Sequence, residues 1–157
     1  MTDPFDDFVD SLQEQVYEET RAAYGEIAFQ RWQKPLYAGT MDLPDGHGRL
    51  TGSCGDTIEV FLRFDDQDRV KDASFLTDGC GSSMVCGSFA AELSLGKTPD
   101  ELADITGDTI LHILGTFPKE DHHCAHLAAA SLQEALSDYM KQQVGRTTSG
   151  PGSRGVP

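Results

Sequence analysis

Residues Thr57–Phe64 alternate strictly. Ile58, Val60, Leu62 and Phe64 fall on one side of an extended chain, with Glu59, Phe61 and Arg63 on the other. A period of two over eight residues specifies a half-buried strand. Beyond the polar turn Asp65-Asp66-Gln67-Asp68, residues 70–76 read as the returning strand. A lone hairpin is marginal in water, so its apolar face requires a covering layer of helices.

The rest of the chain supplies them. Residues 3–30 read as helical, because Phe5, Phe8, Val9, Leu12 and Val16 form one apolar stripe at helical spacing. Asp3 before Pro4 suits an N-cap followed by proline at the first helical position. Residues 82–95 read as a second helix ending near Gly96. Thr98-Pro99-Asp100-Glu101 is a capping-box start, and residues 108–114 form a further short helix. Ala125, Ala128, Ala129, Leu132, Ala135, Leu136, Tyr139 and Met140 make one long stripe, so a final helix is expected over 123–144, stopped by Gly145. Residues 35–55 are rich in Gly and Pro and read as loops with short extended pieces. Residues 145–157 hold four Gly and two Pro with Val156 as the one apolar anchor, the composition of a disordered tail.

Charge narrows the partners. The 157 residues carry 26 acids against 12 Lys and Arg, a formal charge of −14. Nucleic acid and anionic membranes repel such a chain, whereas a basic protein or a metal cation suits it. No apolar run approaches the roughly 20 residues of a membrane helix. The first ten residues carry acids and no Lys or Arg, unlike a signal or transit peptide, so a cytoplasmic location is expected. In a reducing compartment the four cysteines point to metal binding or thiol chemistry rather than disulfides.

Three of them sit where one element gives way to another: Cys54 in Ser53-Cys54-Gly55-Asp56, Cys80 in Asp78-Gly79-Cys80-Gly81, and Cys124 after His123. Free N–H groups at a helix start favour a thiolate, the form that binds soft metals and attacks sulfur. With Asp56 and His123 there are five candidate ligands of mixed softness. No CxxC pair occurs, which excludes a zinc ribbon or a bacterial ferredoxin signature. Spacing alone leaves a shared metal site and isolated buried cysteines both open. Cys86 shares a helical face with Phe89, Ala90 and Leu93, and reads as a core cysteine rather than a spare sulfur acceptor. Asp56 in Gly55-Asp56-Thr57 also suits a simple turn.

Several motifs in order resemble the iron–sulfur cluster scaffold family, that is, the IscU proteins and the N-terminal domain of NifU. They are Lys34-Pro35-Leu36-Tyr37-Ala38-Gly39-Thr40-Met41-Asp42, Cys54-Gly55-Asp56, Thr77-Asp78-Gly79-Cys80-Gly81-Ser82, Gly96-Lys97-Thr98 with Glu101-Leu102, and His123-Cys124 with Leu127-Ala128. The likeness covers roughly residues 28–141. It implies a scaffold rather than a turnover enzyme: a [2Fe–2S] cluster is built from ferrous iron and sulfur delivered by a cysteine desulfurase, then transferred to recipient apo-proteins. Cys54, Cys80 and Cys124 would be the cluster thiolates, Cys124 also the persulfide acceptor, His123 an alternative iron ligand, and Asp56 the carboxylate that keeps the cluster labile. An electron donor such as a ferredoxin is implied. A zinc-containing sulfur-transfer protein that stimulates the desulfurase is the alternative, with Zn2+ on the same residues. A zinc hydrolase lacks the general base it would need near the metal.

The chain departs from the family pattern in the segment before the His-Cys pair. Phe117-Pro118-Lys119-Glu120-Asp121 lacks the second proline and places Asp121 where the family has lysine, which argues against release by an Hsp70/J-protein pair. The expected fold is α+β: a small antiparallel three-stranded sheet covered by helices, a long C-terminal helix, and the metal/cluster site at one end. The expected organisation is an acidic amphipathic helix over 1–27, a scaffold domain over 28–144 and a disordered tail over 145–157, as monomer or homodimer.

Overall fold

A computed structural model describes residues 3–148. In order, the elements are α1 (Pro4–Tyr24), α2 (Glu26–Gln33), β1 (Gly46–Thr51), β2 (Thr57–Phe64), β3 (Val70–Thr77), α3 (Gly81–Ser94), α4 (Pro99–Ala103), α5 (Gly107–Leu114) and α6 (His122–Thr148), with a 3-10 turn at Lys119–Asp121 before α6. The three strands form one antiparallel sheet in the order β1-β2-β3. Helices α3 and α6 cover its inner face, as the alternation in β2 requires. Ile58, Val60 and Leu62 are fully buried there, against Cys86, Ala90, Ala125, Ala128 and Leu132.

The third strand is one of the short extended pieces expected within the loop-rich stretch 35–55. Its inward positions are Gly46, Gly48 and Leu50, paired with Leu62, Val60 and Ile58. Two of the three carry no side chain, so no apolar alternation marks the strand. The reason is the approach of α6. A Cβ at Gly46 would collide with the Ala135 carbonyl oxygen, and one at Gly48 with the Ser131 carbonyl oxygen and the Ala135 nitrogen. The small residues of α6 complete this backbone-to-backbone contact. On the same face α3 approaches β3 closely at Gly87, where a Cβ would lie 2.6 Å from the Phe75 ring.

Two helix boundaries differ from expectation. The single helix over 3–30 is broken at Gly25, whose φ of 87° is open to glycine and strained for other residues. The break turns α2 against α3, burying Ala28 and Phe29. The stripe of α1 does not face the core: Phe5, Phe8, Val9, Leu12 and Val16 are all exposed, and no residue of α1 is buried. The helix is held instead by Tyr17 edge-on to Phe29 and Trp32, and by Tyr24 against Phe117. At the other end, Gly145 does not stop α6, which runs to Thr148. A glycine in right-handed conformation costs a helix only about 1 kcal/mol relative to alanine. The remainder of the tail, 149–157, lies outside the described residues. The N-cap at Asp3 (Phe5 N–H to Oδ1, 3.0 Å) and the capping box at Thr98 and Glu101 are as expected.

Gly48→Ala should therefore cost about 2–4 kcal/mol, because the intruding methyl meets backbone that cannot rotate away. Chemical denaturation measures it. A loss below about 0.5 kcal/mol would mean that α6 can retreat from β1, and that the close contact is not a constraint.

Candidate metal centre

Three elements deliver side chains to one end of the sheet. The β1–β2 connection ends with Asp56. Cys80 is the N-cap residue of α3, and Cys124 lies in the first turn of α6. One ligand atom each from Asp56, Cys80 and Cys124 fits within 4.8 Å of the others. Gly79 permits this convergence: a Cβ there would lie 2.6 Å from the Asp56 carboxylate. Asp78 ties the turn to the hairpin by accepting from the Thr57 N–H at 2.9 Å.

The centre of the group is a residue that the sequence reading passed over. Ser83, fully buried in the first turn of α3, donates to Asp56 Oδ2 at 2.7 Å. Ser83 Oγ itself is 3.5 Å from Cys124 Sγ and 3.9 Å from Cys80 Sγ. A hydroxyl has one proton, and the short contact to a charged carboxylate holds it. Its one sequence signal is position, three residues after an N-cap cysteine and so on the same helical face.

The donors differ in protonation. Ser83, followed by the backbone and thiol of Cys80, holds the Asp56 carboxyl below its ordinary value. Cys124 moves the other way. Burial, reinforced by the nearby Cys80 and Asp121, pushes its thiol up to about 12, against the opposing effect of Ser83. The expected thiolate at the start of α6 is thus overturned: desolvation outweighs the helix N-terminus. Cys124 stays a thiol at neutral pH until a cation displaces its proton.

The other candidates lie around this group. His123 Nε2 is 3.5 Å from Cys124 Sγ. Cys54 is exposed at the tip of the β1–β2 turn and lies outside the three-residue cluster. That turn is closed by Gly52 N–H to Asp56 O and Gly55 N–H to Gly52 O, and Gly55 has a φ of 93°. Cys86 is fully buried in the core, where desolvation raises its thiol pKa strongly, consistent with a packing residue. A carboxylate and two sulfurs in reach of one another, with a third thiol and an imidazole at the edge, form a mixed hard and soft donor set suited to iron or zinc.

Comparison with known proteins places this geometry. The model of the NifU-like N terminal domain matches residues 23–146. Iron-sulfur cluster assembly scaffold protein IscU 1 of Archaeoglobus fulgidus is 34% identical over 120 residues, covering 76% of this chain and 78% of that protein. The protein named iron-sulfur cluster assembly enzyme IscU in Drosophila melanogaster is 34% identical over 128 residues, covering 78% and 82%. Among solved structures, an N-terminal NifU-like protein from Brucella abortus superposes with a TM-score of 0.61 at 18% identity, over 78% of this chain and 97% of that one, a likeness of fold. Among the described residues, no helix is long and apolar enough to cross a membrane.

Ser83→Ala should raise the Asp56 carboxyl toward its ordinary value and cost about 1–3 kcal/mol at neutral pH, the usual worth of a hydrogen bond to a charged group. Because the folded-state carboxyl is depressed, its stabilisation is present above the unfolded value near 3.9 and is lost as pH falls through the lower folded value. The variant should therefore lose stability at pH 7 and show a flatter acid limb. Denaturation midpoints from neutral to acid pH test this. An acid limb as steep as that of the parent would remove Ser83 from the site.

Proposed function

The chain belongs to the NifU-like N-terminal domain family, and from that premise we propose that it is a scaffold on which an iron–sulfur cluster is assembled and from which it is passed on. The observation that carries this reading is the convergence of Asp56, Cys80 and Cys124 at one end of the sheet. In this reading the cluster is cargo. Cys54, Cys80 and Cys124 ligate a [2Fe–2S] unit, Asp56 completes the set, and His123 stands ready as a substitute at the Cys124 edge. A carboxylate in place of a fourth thiolate holds iron less firmly and leaves a position from which the cluster departs.

Sulfur arrives as a persulfide on a cysteine desulfurase. The Cys124 thiolate attacks the outer sulfur, the S–S bond of the donor breaks, the donor cysteine leaves as thiolate, and Cys124 carries the new persulfide. Reduction of each sulfane sulfur to sulfide takes two electrons, supplied by ferrous iron and an electron donor such as a ferredoxin. Because Cys124 is buried as a protonated thiol, the start of α6 must open or a cation must bind first. The second route puts iron at Asp56 and Cys80 before sulfur transfer.

Anaerobic incubation with a cysteine desulfurase, L-cysteine and ferrous iron tests the scaffold reading. After desalting, matched iron and acid-labile sulfide should remain on the chain, and both should be lost with Cys80→Ser. Zinc retained without sulfide, together with faster desulfurase turnover, would instead indicate a sulfur-transfer protein. In the same assay Asp56→Ala should keep its cluster longer and transfer it severalfold more slowly to an apo-ferredoxin. Transfer at the parent rate would remove Asp56 from the release step.

A further inference from the structure

A cavity of about 360 Å³ lies beside Cys80, between the α1–α2 corner and the first turn of α3. Of the five candidate ligands it touches Cys80 alone, so it is a separate chamber sharing one wall with the site. Phe29, Val85 and Trp32 make it apolar and aromatic. Trp32 is 37% exposed, and its indole rests on Gly81, where a Cβ would come within 2.9 Å of the ring. Asp121 lines the same cavity. One of its oxygens accepts from Ser82 Oγ at 2.9 Å, and the Tyr24 phenol lies beside it. Among the described residues Asp121 has no cationic partner.

The same chain shows twice what such a pairing of aromatic ring and carboxylate holds. The Arg31 guanidinium stacks 3.8 Å over the Phe89 ring and pairs with Glu92 at 2.7 Å. Arg21 stacks 4.4 Å over Phe29 and pairs with Glu26 at 2.9 Å. Trp32 and Asp121 repeat the ring and the carboxylate, without the guanidinium.

We propose that this cavity receives an arginine side chain of a protein partner, its guanidinium between the Trp32 indole and the Asp121 carboxylate. Arginine fits better than lysine, because a planar guanidinium can stack on the ring while its fork bonds the carboxylate. The surroundings favour such a partner. The overall charge is −14, and α1 with its N-cap Asp3 carries Asp6, Asp7, Asp10, Glu14, Glu18 and Glu19 against Arg21 alone. This field draws a basic surface toward the cavity. The partner's place beside Cys80 rests on the scaffold reading, since a protein that brings sulfur or takes a cluster must approach there. The binding chemistry does not rest on it.

Trp32 is the single tryptophan of the chain, so its emission reports on this cavity directly. The full metal-free chain is titrated with the peptide acetyl-Ala-Ala-Arg-Ala-Ala-amide and, separately, with its citrulline counterpart, which keeps the shape and loses the charge. The arginine peptide should give a saturable change in Trp32 emission, with the citrulline peptide weaker by about tenfold. Asp121→Asn should abolish the preference, with circular dichroism reporting its fold. If that variant does not fold, the two peptides on the parent chain still decide. Equal responses to both peptides would make the cavity an apolar crevice, and no saturable response to arginine would leave it without this ligand. Either result overturns the proposal. No iron or sulfide enters the titration, so a negative result leaves the scaffold reading standing, and failed cluster assembly leaves the titration interpretable.

Discussion

The close approach of α6 to β1 sets the position of everything else. Helix and strand meet backbone to backbone where Gly46 and Gly48 face Ser131 and Ala135. Once that contact forms, the rise of 1.5 Å per residue fixes where the first turn of α6 ends up, and Cys124 comes to the same end of the sheet as the β1–β2 turn. Gly87 against Phe75 seats α3 in a similar way and brings its N-cap, Cys80, to that end. The site is thus a product of two close helix-on-sheet contacts. Its donors come from three separate elements, and none of them is placed by local sequence alone.

This explains what could be read in advance. The β2–β3 hairpin, the capping box at Thr98 and the stripe of α6 each follow from a periodicity or a cap that acts within a few residues. Strand β1 could not be read so, because glycine at Gly46 and Gly48 removes the side chains that would have shown the period; the requirement there comes from α6, more than eighty residues away. Gly25 breaks a helix and Gly145 does not, although both sit at plausible ends. What separates them is that α2 has a core to bury beyond Gly25, through Ala28 and Phe29. Cys54, Asp56, Cys80, His123 and Cys124 were legible as candidates through motif order. Ser83 was not, because a serine near a helix start has many ordinary uses. The burial that raises the Cys124 thiol was equally invisible, since it depends on neighbours from other elements.

The donors divide into a floor and a rim. Asp56, Ser83 and Cys124 form the floor, joined by short contacts and held by packed helices. Cys54 belongs to the rim, exposed on a turn that needs Gly55 in left-handed conformation. A structural metal site normally closes all of its ligands around the ion. Here the floor is preorganised and the rim is exposed, so Cys54, the fourth donor in the proposed reading, would be brought in by its own loop. That division suits a ligand that enters and leaves through one side.

Protonation adds a second asymmetry. At neutral pH, before any cation arrives, Asp56 is charged and Cys124 is neutral, and both depend on the same Ser83 hydroxyl in a partly desolvated site. A cation therefore meets the carboxylate as the ready anion of the floor, and its charge then makes loss of the Cys124 proton affordable. Removing the cation reverses this, and the thiolate regains its proton. Burial thus keeps one of the site's own sulfurs uncharged until a cation arrives, and the free energy needed to ionise that sulfur is subtracted from the affinity for the cation.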